Sequence, residues 1–218
     1  LVEKPMIGLA GQARARAVVQ RFRDAGRFLQ MVAQWPRTLA AFAALHGGLP
    51  EVTDTFDMRL SPVSVGTTAL VDSAPHFISM LQALLGPGDF EQVQIMRDDK
   101  KGVEKFDQSG DHSASQLALE AVYSHAAGRT SCHLQLRTST SRPRPAWYRV
   151  NELRVEREVE LPAYRQYFSS AGGRVELPDP IHQVAARFVQ DLATSEATAA
   201  EMLLAAHRNL LQLARAWP

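Results

Sequence analysis

Between residues 67 and 85 apolar positions recur every three to four residues, with Leu70, Ala74, Ile78, Leu81 and Leu85 on one stripe and Gly86-Pro87-Gly88 behind them. The spacing predicts an amphipathic helix with Thr67 as N-cap, stopped by the glycines. Pro75, within it, removes the hydrogen bond to the Val71 carbonyl and predicts a kink or a later effective start. The same period predicts helices from Leu9 to Ala25, over a short segment from Arg37 to His46, from Asp179-Pro180 through Ala193, and from about Ala197 to Ala216. Period two takes over in Val52 to Leu60, Glu91 to Met96, Leu117 to His125, Ser131 to Thr138, Ala146 to Asn151 and Leu153 to Leu161, which predicts strands. In the last of these, Leu153, Val155, Val159 and Leu161 alternate with Arg154, Glu156, Glu158 and Glu160, so one sheet face meets water or a partner. The apolar run Phe28 to Trp35, closed by Pro36, predicts a further strand after the first helix.

Leu1-Val2 reads as the end of a buried parallel strand, which makes the opening segment strand, helix, strand. Such a unit cannot bury both faces of its own sheet, and residue 1 is not Met, so the chain is expected to begin mid-fold. The expected organisation is the remnant of one domain over residues 1–50 and a second domain over residues 51–218. The second is α+β, a mainly antiparallel open sheet with helices packed on one face.

Charge narrows the partners. With 24 basic and 23 acidic residues in 218, the formal charge is +1, and no global field draws the protein to nucleic acid or an anionic membrane. The longest apolar runs are broken well short of the ~20 residues that span a bilayer. Cys132 is the single cysteine, which excludes an internal disulfide and a multi-cysteine metal site and fits a reducing, cytoplasmic setting.

Two short motifs carry chemistry. Leu1-Val2-Glu3-Lys4-Pro5 places a lysine where a parallel strand ends, the position at which open parallel sheets bind ligands. Leu70-Val71-Asp72-Ser73-Ala74-Pro75-His76 places a carboxylate and an imidazole at i and i+4, on one helical face about a turn apart. In this order and at this separation, the two motifs resemble the Gfo/Idh/MocA family of nicotinamide-dependent oxidoreductases, with the chain corresponding to the carboxy-terminal portion.

The resemblance implies that residues 1–50 include the last βαβ unit of a truncated Rossmann domain, with Glu3, Lys4 and Pro5 beside the cofactor, NAD or NADP. It implies a small polar substrate, a sugar, inositol or related polyol. Lys4 would hold the substrate oxygen and stabilise developing alkoxide, and His76, oriented by Asp72, would take or return the hydroxyl proton. It further implies a homo-oligomer formed through the exposed sheet face. The Gly-x-Gly-x-x-Gly turn that cradles a dinucleotide pyrophosphate is absent, so the chain as it stands is expected to bind the cofactor poorly and to be inactive alone. A non-catalytic ligand- or protein-binding module of the same fold is the alternative.

Other residues add less. Gln34 and Arg37 follow the second predicted strand and are candidate substrate contacts, while Trp35 reads equally as core. Tyr148 is a third candidate, on a strand that would line the same cleft, although an ordinary half-buried strand shows that pattern too. The stretch Ser139 to Pro145 reads as a loop whose Arg142 and Arg144 are solvated. The remaining histidines show no paired ligand spacing, and neither a Gly-x-Ser-x-Gly elbow nor a Gly-x-x-x-x-Gly-Lys loop is present.

Overall fold

The computed structural model describes residues 5–27, 29–98, 116–194 and 198–217. Its strands are β1 (Thr55–Leu60), β2 (Gly88–Asp98), β3 (Gln116–His125), β4 (Gly128–Arg137), β5 (Ala146–Val150), β6 (Leu153–Glu160), β7 (Arg165–Ser170) and β8 (Gly173–Leu177). They form one sheet in the order β2-β3-β4-β1-β5-β6-β7-β8. Among the described residues β1 and β4 run parallel, and every other neighbouring pair is antiparallel. The helices are α1 (Gln12–Asp24), α2 (Leu39–His46), α3 (Gly66–Leu85), α4 (Pro180–Thr194) and α5 (Thr198–Arg215), with a 3-10 turn at Trp35–Thr38 ahead of α2. This is the expected α+β class.

Alternation decides which sheet face is covered. Register sets Phe56 beside Cys132, Met58 beside Leu134 and Tyr148, and Tyr148 beside Val155, all of them buried. Against them α3 lays the predicted stripe, with Leu70, Ala74, Ile78 and Leu81 at 0% exposure and Leu85 half-buried, joined by Phe77, also at 0%, and α5 adds Ala206, Leu210 and Leu213 to the same core. The Phe77 ring lies 5.6 Å from that of Phe56 and stacks on Phe90 at 6.0 Å. Each such side chain contributes roughly 1.5–3 kcal/mol by leaving water, which is what holds α3 in place. The opposite face carries Asp57, His133 and Arg149, with Arg149 Nε donating to Asp57 Oδ2 at 2.7 Å. Burial pushes the Cys132 thiol up to about 12, so it is an inert packing group on β4.

α3 runs through Pro75 from Gly66 to Leu85, so the proline interrupts one hydrogen bond without ending the helix. Thr67 does not cap it; the N-cap position is Val65, with no side-chain bond. The described part of the run Phe28 to Trp35 does not form the expected strand. Phe28 lies outside the described residues, and in the rest of the run only Met31 makes a strand-type bridge. Leu29 instead packs with Val19 of α1 and Leu203 of α5 in a small apolar cluster. A strand exists only where a neighbour completes its ladder, whereas apolar burial is available from any face, and here the helices supply it. The hairpin β7–β8 is an addition to the expected strands; its segments, RQYFSS and GRVEL, offer only two apolar positions each and so little alternation.

Gly88 opens β2 where backbones crowd. A Cβ there would collide with the Ser124 carbonyl oxygen and lie 2.8 Å from the Tyr123 ring, while Asn209 Nδ2 donates to the Gly88 carbonyl at 3.1 Å. Gly88→Ala is expected to cost about 1–3 kcal/mol through forced displacement of β3, read as a lower denaturant midpoint. An unchanged midpoint would mean that the edge yields freely.

Candidate functional site

β1 ends at Leu60, and the turn Ser61 to Gly66 carries the chain into α3, with Gly66 at φ 61°. Two bonds pin this turn to the segment that leads into β5. Ser61 Oγ donates to the Pro145 carbonyl at 2.7 Å, and Ser139 N donates to the Pro62 carbonyl at 3.0 Å. Between the turn, the early part of α3, the Gln34-Trp35 corner and the start of β5 lies an open cleft of about 420 Å³. That volume suits a small organic ligand.

Asp72 and His76 both line it, as does Gln34. The Asp72 carboxylate is exposed and accepts a hydrogen bond from Ser64 Oγ at 2.8 Å. His76 is half-buried and meets the edge of the Trp35 ring, with centroids 6.3 Å apart at 73°. Trp35, 5% exposed, is thus core and cleft wall at once. The imidazole is thus held against an indole at the wall of the cleft.

Glu3 and Lys4 lie outside the described residues. Pro5 is described, and with Met6 it lines a small apolar cavity shared with Pro75 of α3 and with Met31, Leu203 and Leu210. The end of the first motif therefore packs one residue away from His76 of the second. Arg37, on the 3-10 turn, does not line the cleft. Tyr148, expected on the cleft, does not line it. Its side chain is 0% exposed, its hydroxyl donates to the Thr38 carbonyl at 3.4 Å, and burial raises its pKa. It faces the helices, because its strand phase is that of Ala146 and Val150, and it is a core residue.

The cleft also contains residues that the pattern did not single out. Arg144 was expected to be solvated but is half-buried in the cleft wall, whereas Arg142 is exposed. Arg157 of β6 lines the cleft too, and its Nη2 donates to the Arg144 carbonyl at 3.1 Å. Burial lowers its pKa, and the neighbouring Arg144 charge acts in the same direction. The signal for Arg157 was in the sequence. It occupies the inward phase of β6, two residues after Val155, where the alternation calls for an apolar side chain.

Among the described residues no group of three or more His, Cys, Asp and Glu side chains could hold a metal, and no helix is long and apolar enough to cross a membrane. The turn Ser61 to Gly66, which leads from the one parallel strand pair into a helix, contains a single glycine. This turn therefore does not fit a dinucleotide pyrophosphate, which needs several backbone N–H groups at a Gly-rich helix start.

Solved structures share this architecture. UDP-N-acetylglucosamine 3-dehydrogenase from Acidithiobacillus ferrooxidans is 14% identical, with a TM-score of 0.59 over 98% of this chain and 68% of that one. Scyllo-inositol dehydrogenase from Lactobacillus casei, solved with NAD(H) and scyllo-inositol, is 13% identical, with a TM-score of 0.63 over 99% of this chain and 69% of that one. An oxidoreductase from Agrobacterium radiobacter, in complex with NAD+, L-tartaric acid and magnesium, is 12% identical with a TM-score of 0.57, over 98% of this chain and 70% of its own. The likeness is one of fold. No protein-family model matches the sequence, and no curated protein matches it.

Proposed function

We propose that this chain supplies the substrate-binding and proton-transfer residues of an NAD(P)-dependent oxidoreductase that acts on a CH–OH group of a sugar, inositol or similar polyol. The observation that carries the reading is the cleft at the end of β1, where Gln34, Asp72 and His76 converge from segments far apart in sequence. The shared fold with dehydrogenases of a nucleotide sugar and of an inositol supports it.

In this reading Gln34 and the hydroxyls of Ser61 and Ser64 bind substrate oxygens, and His76 takes the proton of the reacting hydroxyl or returns it. Asp72, one turn before His76 on α3 and lining the same cleft, is the candidate to orient it. Trp35 fixes the ring edge-on and excludes water from one side of it. Lys4, which directly precedes Pro5, is the candidate contact for the substrate oxygen. A nicotinamide dinucleotide would accept the hydride, held by residues other than those described.

The test is a panel of sugars, inositols and sugar acids offered to the complete gene product with NAD+ or NADP+, with reduction of the dinucleotide as the readout. Turnover of at least one member is expected. Tight dinucleotide binding with no turnover across the panel would overturn the reading and favour a ligand- or protein-binding module of the same fold.

A further inference from the structure

Arg157 sits in an unusual place for a cation. Its strand position faces the helices, in line with Val155 of β6 and in register with Ala146 of β5. Continuing the alternation with an apolar residue would simply have extended the core, and the small Ala146 opposite leaves room for the longer side chain. Its Nε is buried without a hydrogen-bond partner. One bond through Nη2 goes to the neutral Arg144 carbonyl. Burying a guanidinium this far carries a cost that a partner anion normally offsets.

Among the described residues no carboxylate pairs with it. Arg157 and Arg144 take part in none of the ion pairs among the described residues. The acid that lines the same cleft, Asp72, is bonded to Ser64 and lies in no ion pair with either guanidinium. Other arginines of the sheet contrast with this. Arg149 pairs with Asp57, Arg165 with Glu176, and Arg174 with Glu158 and Glu160. The two arginines that line the cleft pair with no carboxylate among the described residues.

We infer that Arg144 and Arg157 form an anion subsite, and that the natural substrate carries an oxyanion, a carboxylate or a phosphoryl group, in addition to the hydroxyl that faces His76. Two adjacent cations, one of them braced by the backbone of the other's loop, match the several acceptor oxygens of such a group. The geometry divides the cleft by role, with His76 and Asp72 on α3 at the reacting end and the arginines of β6 and the β5 lead at the recognition end. The inference takes its place in the cleft from the proposed function, but the recognition itself needs neither His76 nor a dinucleotide.

Binding therefore tests it without turnover. The complete gene product is titrated calorimetrically at low ionic strength with D-glucuronate, D-glucose 6-phosphate, inorganic phosphate and D-glucose. At least one anion is expected to bind roughly 10-fold or more tightly than D-glucose, as a charge-assisted contact allows, and to weaken as salt is added. Preference for glucuronate marks a carboxylate site, and preference for the phosphates a phosphoryl site. Arg157→Met, which keeps length and apolar packing, should remove most of the preference. Arg144→Ala on the loop should reduce it, and Arg157→Lys should restore only part, because the fork is lost.

Equal binding of glucose and the anions, no anion binding at tens of millimolar, or an undiminished preference in both Arg157→Met and Arg144→Ala would each overturn the subsite. Should Arg157→Met fail to fold, the loop variant decides alone. An anion preference without dinucleotide reduction would refute the proposed reaction and leave the subsite standing. Turnover of neutral polyols without any anion preference would do the reverse.

Discussion

Replacing His76 with Ala is expected to lower kcat by about 10²-fold or more in the complete gene product, while the fold survives. The magnitude follows from what a positioned proton carrier supplies to a reacting hydroxyl. Stability should change little, since the ring is half-buried at the cleft wall and the α3 stripe beneath it, Leu70, Ala74, Phe77, Ile78 and Leu81, is untouched. His76→Gln separates two roles. A glutamine can hydrogen-bond a substrate oxygen but cannot carry a proton at neutral pH, so it should be as slow as the alanine variant. If Gln restores turnover, His76 only orients substrate. If both variants turn over at the wild-type rate, the proton carrier is another group. Unchanged KM alongside the kcat loss would place the effect in the transition state and not in binding.

The elements that were legible in the sequence are those whose period repeats often enough to be unambiguous. α3 has five turns of stripe, and β3, β4 and β6 each alternate over eight residues or more, so tertiary packing had only to choose between faces already marked. Asp72 and His76 could be placed on one helical face from spacing alone. The cleft could not, because Ser61, Ser64 and Arg144 reach it through turns, and turn geometry depends on long-range bonds such as Ser61 to Pro145. Leu29 to Trp35 misled for a related reason. Apolar content signals burial, but whether burial comes from a sheet ladder or from helix faces depends on neighbours that a local pattern does not encode.

Arg157 and Tyr148 exchange the roles that composition suggests. Tyrosine is a common ligand-contacting residue and arginine in an amphipathic strand a common solvated one, yet here the tyrosine is sealed and the arginine lines the cleft. Phase explains both. On β5 and β6 the positions of Ala146, Tyr148, Val150, Val155 and Arg157 share one face, and along that face the core gives way to the cleft between Tyr148 and Ala146 on one strand and between Val155 and Arg157 on the other. A side chain's role is thus set by how far along the covered face it sits.

Tyr148→Ala should accordingly be the most destabilising single change here, at about 3–5 kcal/mol, the range for emptying a buried aromatic site. The ring stacks on Phe42 at 5.5 Å, meets Phe168 edge-on at 5.5 Å and approaches both Trp35 and Phe56 at 6.3 Å. Its loss would leave a cavity that four aromatic neighbours cannot close without moving. Tyr148→Phe keeps that packing and removes only the hydroxyl, whose bond to the Thr38 carbonyl ties β5 to the 3-10 turn at Trp35–Thr38. That change should cost about 1 kcal/mol. Denaturant unfolding of the three proteins measures both effects, and steady-state kinetics on the phenylalanine variant supplies the functional half. A core residue predicts an unchanged KM for Tyr148→Phe. A KM raised tenfold, with stability barely altered, would return Tyr148 to the substrate and would require the α2 side of the sheet to open when the cleft is filled.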